Sequence, residues 1–138
     1  MRFLLDTNVV AELRKGSRAD AHVSTWFAGV DADTILLSAL TLGEIRRGIE
    51  NLRRRDRPAA RALDRWMRRL LVEHRDRILP IDLAVAEQWG RFNVPDPLPV
   101  IDGLLAATAK VHGLTLVTRN VKDIARTGVS VLNPFEAD

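Results

Sequence analysis

The sequence predicts an α/β fold in which helices cover both faces of a mostly parallel central sheet. Short apolar runs rich in Leu, Ile and Val are typical of strands buried on both faces, and they alternate with longer segments of helical periodicity. Strands separated by helices form βαβ units, whose strands lie parallel. The sequence has no internal repeat, low-complexity tract or linker, so we expect residues 1–138 to form a single domain.

Five apolar segments are predicted as strands or short extended pieces: residues 2–5, 34–38, 78–81, 114–118 and 129–132. Apolar periodicity predicts helices at residues 7–14, 20–28, 40–52, 58–74, 83–92, 100–112 and 120–125. Gly16 and Gly113 are expected to end the helices that precede them, and Pro58 suits the first turn of the fourth helix. Three alternating prolines predict a stiff loop at residues 93–99.

The composition excludes several classes of protein. Hydrophobic residues make up 46% and charged residues 28% of the chain, which is globular rather than disordered composition. The absence of cysteine excludes disulfides and thiolate metal sites. Asp6 and Asn8 interrupt the first apolar run, which is therefore no signal peptide, and no run approaches the ~20 apolar residues of a membrane span. We expect a soluble, cytoplasmic protein without membrane association.

Basic charge is concentrated in one segment. The formal net charge is only +3, but residues 46–77 contain twelve arginines against five acids. Arginine binds phosphate bidentately and stacks on bases, so this segment predicts a nucleic-acid-binding face. The candidate RNA contacts are Arg53, Arg61, Arg65 and Arg68. A solvated helix surface explains the same pattern equally well.

Four acids from separate segments are candidates for one site: Asp6, Glu44, Asp102 and Asp123. Asp6 directly follows the first strand, and Glu44 lies one turn into the helix after the second. Asp102 lies in the helix that precedes the fourth strand, and Asp123 lies just past that strand. Ligands in α/β folds gather at the carboxyl ends of strands. Each acid also has a local explanation as a helix cap, a capping-box residue or a partner of the helix dipole.

Asp102 is the acid that local explanations fit least well, because its neighbours are apolar and no lysine or arginine lies within one helical turn. A divalent metal shared with the other acids would supply the missing positive charge. Carboxylate oxygens suit Mg²⁺ or Mn²⁺, whereas the three histidines lack the spacing of a zinc site. Such a centre activates water and stabilises charge on a phosphodiester. Polar neighbours expected to orient it are Thr7, Asn8, Ser38, Thr118 and Asn120.

Five short segments follow one another in a specific order and spacing. They are FLLDTN at 3–8, TLGEI at 41–45, IDGLLAA at 101–107, LVTRNVKD at 116–123 and NPFE at 133–136. Together they resemble the PIN-domain family, and within it the VapC-type toxins of toxin–antitoxin pairs. The resemblance covers nearly the whole chain, from residue 3 to residue 136.

This resemblance implies a PIN-like α/β/α sandwich, a homodimer and an endoribonuclease that cleaves RNA with Mg²⁺ or Mn²⁺. It implies that Asp6, Glu44 and Asp102 are the core acids, Asp123 the fourth, and Thr118 a supporting residue. It also implies a cognate antitoxin, through which the pair binds operator DNA. The alternative is a non-catalytic toxin-like protein that binds its antitoxin and, with it, DNA. RNA cleavage by the purified protein would separate the two.

Two phosphate-handling families also place an aspartate after a strand. A haloacid-dehalogenase-type phosphatase needs a second aspartate two residues after the first, where this chain has Asn8. A receiver-type signalling domain carries its phosphorylated aspartate after a middle strand, and the strand that ends at Ser38 offers none. Both families are therefore disfavoured.

Overall fold

The computed structural model describes residues 1–136 and contains a five-stranded sheet in which every neighbouring pair is parallel. The strands are β1 (Phe3–Leu5), β2 (Ile35–Ser38), β3 (Ile78–Leu79), β4 (Thr115–Val117) and β5 (Val131–Leu132). Their spatial order is β3-β2-β1-β4-β5. The predicted α/β class with a mostly parallel sheet is confirmed, and every strand pair of the described residues is in fact parallel.

Helices connect the strands. They are α1 (Thr7–Arg14), α2 (Ala21–Ala28), α3 (Ala39–Arg53), α4 (Arg57–His74), α5 (Leu83–Phe92), α6 (Val100–His112) and α7 (Val121–Ile124). Short 3-10 turns lie at Gly16–Arg18, Ala32–Thr34, Arg75–Arg77 and Ala125–Thr127. Gly113 ends α6 in the left-handed conformation, at φ 65°, as predicted. Within residues 1–136, no helix is both long and apolar enough to cross a lipid bilayer.

Two apolar layers form the core, one on each face of the sheet. Because side chains alternate along a strand, Phe3 and Leu5 of β1 belong to the layer built with α1, α2, α3 and α4. Leu4 belongs to the opposite layer, which α6 and α7 cover through Leu105 and Ile124. This arrangement is the α/β/α sandwich that the resemblance implied.

The order in which strands are added to the sheet reverses at β1. From β1 the chain adds β2 and β3 on one side and then crosses to add β4 and β5 on the other. Leu5 is in register with Val117, so the residues that follow these two strands emerge side by side. In open α/β sheets, a crevice forms at such a switch point, outside the carboxyl ends of the strands.

Candidate active site at the carboxyl edge of the sheet

Asp6 is held at the switch point by three hydrogen bonds. Its Oδ1 accepts from the backbone N–H of Thr7 at 2.6 Å, which caps α1. Its Oδ2 accepts from the Thr118 hydroxyl at 2.7 Å and from the Asn8 amide at 3.2 Å. Only 5% of Asp6 is exposed. The alternative explanation of Asp6 as a helix cap is therefore correct for one oxygen, and the second carboxylate oxygen is oriented from the end of β4.

Glu44 is not a capping-box residue. Helix α3 begins at Ala39, because the Ser38 hydroxyl caps it by accepting from the backbone N–H of Leu40 at 3.1 Å. Glu44 thus lies in the second turn, too far along to bond back to the first N–H groups. Its Oε1 instead accepts a 2.5 Å hydrogen bond from the Thr7 hydroxyl. Thr7 therefore joins the first helix turn at Asp6 to the Glu44 carboxylate.

Asp102 lies in the first turn of α6 and is half-buried. Burial raises the pKa of this carboxyl group above its ordinary value, and the charges of Asp6, Asp123 and Glu44 raise it further. A hydrogen bond from Asn120 acts in the opposite direction. Among residues 1–136, none of these four acids forms a salt bridge with a lysine, arginine or histidine. The charges of the other three acids thus reach Asp102, and in the described residues none of the four carboxylates is paired with a basic side chain.

Close packing of α5 against α6 fixes the backbone at Asp102. A Cβ atom at position 103 would lie 3.2 Å from Cδ1 of Trp89 and 3.3 Å from Cβ of Leu98. Gly103 therefore allows the indole to approach the helix at the residue that follows Asp102. The sequence suggested no role for Trp89, since its partner on α6 is separated from it by a loop.

Asp123 is the most exposed of the four acids and lies on the short helix α7. The capping device suggested by Asn120 and Asp123 is not formed, because the Asn120 side chain makes no capping hydrogen bond to α7. The backbone N–H of Asn120 donates instead to the Thr118 hydroxyl at 3.0 Å. Thr118 thus connects the start of α7 with Asp6.

The donor set of this edge matches a hard divalent cation in chemistry, since it consists of carboxylates that, within the described residues, form no ion pair. The ligand geometry is less complete. Within the described residues, no three acidic or histidine side chains converge closely enough to form a ready-made metal centre. The residues fit a metal by charge and by donor type, and a bound cation would have to draw the carboxylates together.

An arginine that the sequence did not single out lies at the same edge. Arg119 follows Thr118, and its backbone N–H donates to Oδ1 of Asn8 at 3.5 Å. Its guanidinium carbon lies 3.7 Å from the centre of the Phe135 ring. Both residues belong to segments that carry the family resemblance, but their contact depends on the pairing of β4 with β5 and is not visible in the sequence.

The four arginines predicted to contact RNA lie on α3 and α4 and fall into two groups. Arg53 and Arg68 lie 3.5 Å and 3.8 Å from the Asp64 carboxylate. Arg61 and Arg65 are exposed and, within residues 1–136, have no ion-pair partner. A cleft of about 450 Å³ at the turn between α3 and α4 includes Arg53 and Arg61 in its lining.

Known proteins share both the sequence and the fold. A PIN-domain family model matches residues 3–129. VapC ribonuclease Y4jK of Sinorhizobium fredii is 30% identical, over 96% of this chain and 97% of that protein. Toxin FitB of Neisseria gonorrhoeae is 31% identical, again over 96% of this chain and 97% of that protein.

Two solved complexes superpose closely on the chain. The structure of FitAB bound to the IR36 DNA fragment matches with a TM-score of 0.87 and 30% identity, over 99% of this chain and 97% of that one. A toxin–antitoxin complex from Klebsiella pneumoniae matches with a TM-score of 0.74 and 25% identity, over 97% and 98%. With the family model matching almost the whole length, the chain belongs to the PIN-domain family and is a relative of its VapC and FitB toxins.

Proposed function

We propose that the chain is an endoribonuclease that depends on Mg²⁺ or Mn²⁺ and acts as the toxin of a toxin–antitoxin pair. Asp6, Glu44, Asp102 and Asp123 are its metal-binding and catalytic residues, within a single nuclease domain of residues 1–138. The relatives named as a ribonuclease and as a toxin support the activity. PIN-domain ribonucleases generally use divalent metal ions, which supports the cofactor.

The observation that carries the proposal is the electrostatic state of Asp102. Its carboxyl group is half-buried, and its pKa is raised by burial and by three neighbouring acids. Like charges that crowd one another without an ion-pair partner destabilise a site, and such arrangements cluster at functional centres. A divalent cation would remove this repulsion, because each of the four side chains supplies oxygen ligands.

A bound cation would supply Lewis acidity and charge stabilisation for the cleavage of a phosphodiester. The protein's own contribution is the orientation of the acids. Thr118 and Asn8 hold one oxygen of Asp6, and Thr7 holds Glu44. Removal of an orienting residue of this kind typically lowers metal affinity or activity by about 10–100-fold.

We further propose a cognate antitoxin as the protein partner, contact with operator DNA only through that antitoxin, a homodimer and a cytoplasmic location. The related FitAB assembly was solved with a DNA fragment, and the related Klebsiella pneumoniae structure is a toxin–antitoxin complex. Both structures cover almost the whole of the present chain, which supports the same kinds of partner for it.

The direct experiment is an RNA cleavage assay with the purified protein in EDTA, Mg²⁺ and Mn²⁺, beside the Asp102→Asn variant. We expect fragments only with the divalent ions and only from the parent. Failure to cleave any of a broad set of RNAs, although the protein binds a cognate antitoxin and operator DNA, would favour the non-catalytic alternative.

A further inference from the structure

Arg119 lies at the same edge of the sheet as the four acids. It directly follows Thr118 at the end of β4, and Phe135 lies just past β5, the neighbouring strand. Both residues therefore emerge at the carboxyl edge that also carries Asp6. The hydrogen bond from the Arg119 backbone to Asn8, at 3.5 Å, ties the residue to the same helix start as Asp6.

The guanidinium is directed onto an aromatic ring rather than onto a carboxylate. It lies 3.7 Å from the centre of the Phe135 ring. In the described part of the chain, Arg119 forms no salt bridge, although four acids lie at the same edge. The ring is itself fixed, because Phe135 packs against the core and its N–H donates to the Asn133 side chain at 3.0 Å.

A guanidinium stacked on a ring face keeps its N–H groups in the plane parallel to that face, where they remain available for a bidentate acceptor. Phosphate has the matching geometry. A nucleic-acid strand that reaches the four acids also brings further phosphates, which the carboxylates repel. A fixed cation next to the acids would offset this repulsion.

We propose that Arg119, held by Phe135, binds a backbone phosphate of the RNA substrate on the β5 side of the acidic site. The inference rests on the proposed function, because it assumes that RNA enters this edge. It assigns Arg119 to substrate binding and Phe135 to positioning the guanidinium.

The test measures binding of a short fluorescein-labelled single-stranded RNA by anisotropy in EDTA, over a series of salt concentrations. Arg119→Gln should weaken binding by about tenfold, the loss expected for one charge-assisted hydrogen-bonding group. The slope of log K against log salt should flatten by about 0.7, the value for one phosphate contact on a single strand. Arg2→Gln removes the same charge at the opposite end of β1 and should change neither quantity.

Two further variants separate phosphate binding from net charge. Arg119→Lys keeps the charge, so the salt slope should persist while affinity stays below that of the parent, because lysine lacks the planar fork. Phe135→Leu keeps apolar packing but removes the ring face, and should lower affinity without flattening the salt slope. Melting curves of both variants verify the fold.

Equal affinity and equal salt slope for Arg119→Gln and Arg2→Gln would overturn the role of Arg119, even if the parent cleaves RNA. So would an Arg119→Gln protein that binds RNA normally but loses affinity for an antitoxin. No RNA binding by the parent would overturn both this inference and the proposed function. A parent that binds RNA through Arg119 but cleaves none would contradict only the proposed function.

Discussion

At the scale of single residues, Asp102 links the stability of the fold to the proposed chemistry. Its raised pKa means that folding favours the protonated form of this carboxyl group more than the unfolded chain does. The associated stability is fully present below the pKa of the unfolded state and is lost as the pH rises through the folded pKa. In EDTA at about pH 7, Asp102→Asn should therefore melt at or above the temperature of the parent.

The same substitution should abolish the response to metal and reduce RNA cleavage by more than about 100-fold, since loss of even an outer residue of a metal site costs one to two decades. Asp76→Asn is a matched control, because Asp76 is exposed in the turn before β3, at the opposite end of the sheet. An Asp102→Asn protein that cleaves RNA at the parental rate would contradict the assignment of the site.

Thr118 tests whether the orientation of Asp6 matters. Its buried hydroxyl donates to Asp6 and accepts from the backbone of Asn120. Thr118→Val preserves the shape of the side chain but removes both hydrogen bonds, and should destabilise the fold by about 1–3 kcal/mol. Cleavage should fall by roughly 10–100-fold.

Thr108→Val is the matched control for this substitution. Thr108 is equally buried, but its hydroxyl bonds only to the carbonyl of Leu104 within α6. Chemical denaturation measures the stability of both variants, and the cleavage rate should fall for Thr118→Val alone. Equal losses of activity in the two variants would mean that general destabilisation, rather than the orientation of Asp6, explains the result.

At the scale of elements, Asp64 joins α3 to α4. Its carboxylate lies 3.0 Å from Arg46 and 3.5 Å from Arg53 on α3, and the Arg46 hydrogen bond is the main reason why its pKa is lowered. A lowered pKa contributes stability above the pKa of the unfolded chain, and this stability is lost as the pH falls through the folded pKa.

Asp64→Asn should therefore lower the free energy of unfolding at about pH 7, and the difference from the parent should shrink as the solution is acidified below about pH 4. Urea denaturation across this range provides the measurement, with Asp76→Asn as the control for a change in net charge. If the difference in free energy of unfolding between Asp64→Asn and the parent stays constant at acidic pH, the ion pairs of Asp64 with α3 contribute nothing measurable to stability.

The basic face of the same helix pair carries a separate prediction. Arg61 and Arg65 are exposed and lack an ion-pair partner in the described residues, so replacing both with Gln should flatten the salt slope of RNA binding by about 1.4, or 0.7 for each lost phosphate contact. Arg53→Gln should have less effect, because Arg53 already pairs with Glu50 and Asp64. An unchanged slope in the double variant would favour the solvated-surface interpretation.

Element positions were largely predictable because local signals agree with the fold. Gly113 required no tertiary information to end α6. The start of α3 was predicted one residue late, at residue 40, whereas the capping-box explanation of Glu44 required Thr41 to be the cap and the helix to begin later still. Because Ser38 is the cap, Thr41 lies inside α3 and cannot form a capping box with Glu44.

At the scale of the whole molecule, the sheet order decides which residues meet. The sequence predicted that the acids share one edge, since each follows a strand or begins a helix there. It did not predict that Thr7 would bridge to Glu44 or that Thr118 would bind Asp6, because those contacts depend on which strands are neighbours. Arg119 was missed for the same reason, since its partner Phe135 lies beyond β5.

The metal prediction also belongs to the whole molecule, because the four acids come from segments spread over most of the chain. In the described residues, the charges of Asp6, Glu44 and Asp123 raise the pKa of Asp102. No three of these acids converge closely enough there to form a ready-made metal centre. A cation that binds them would therefore join α1, α3, α6 and α7 in the folded state only, and binding to the folded state alone raises the free energy of unfolding. At a concentration about 100 times Kd the gain is about 2.7 kcal/mol, enough to raise the melting temperature by several degrees. We expect this rise when EDTA is replaced by millimolar Mn²⁺ or Mg²⁺, and no rise when KCl is added to the same ionic strength. The absence of a metal-specific rise would argue that these acids are a structural edge of the sheet rather than a metal site.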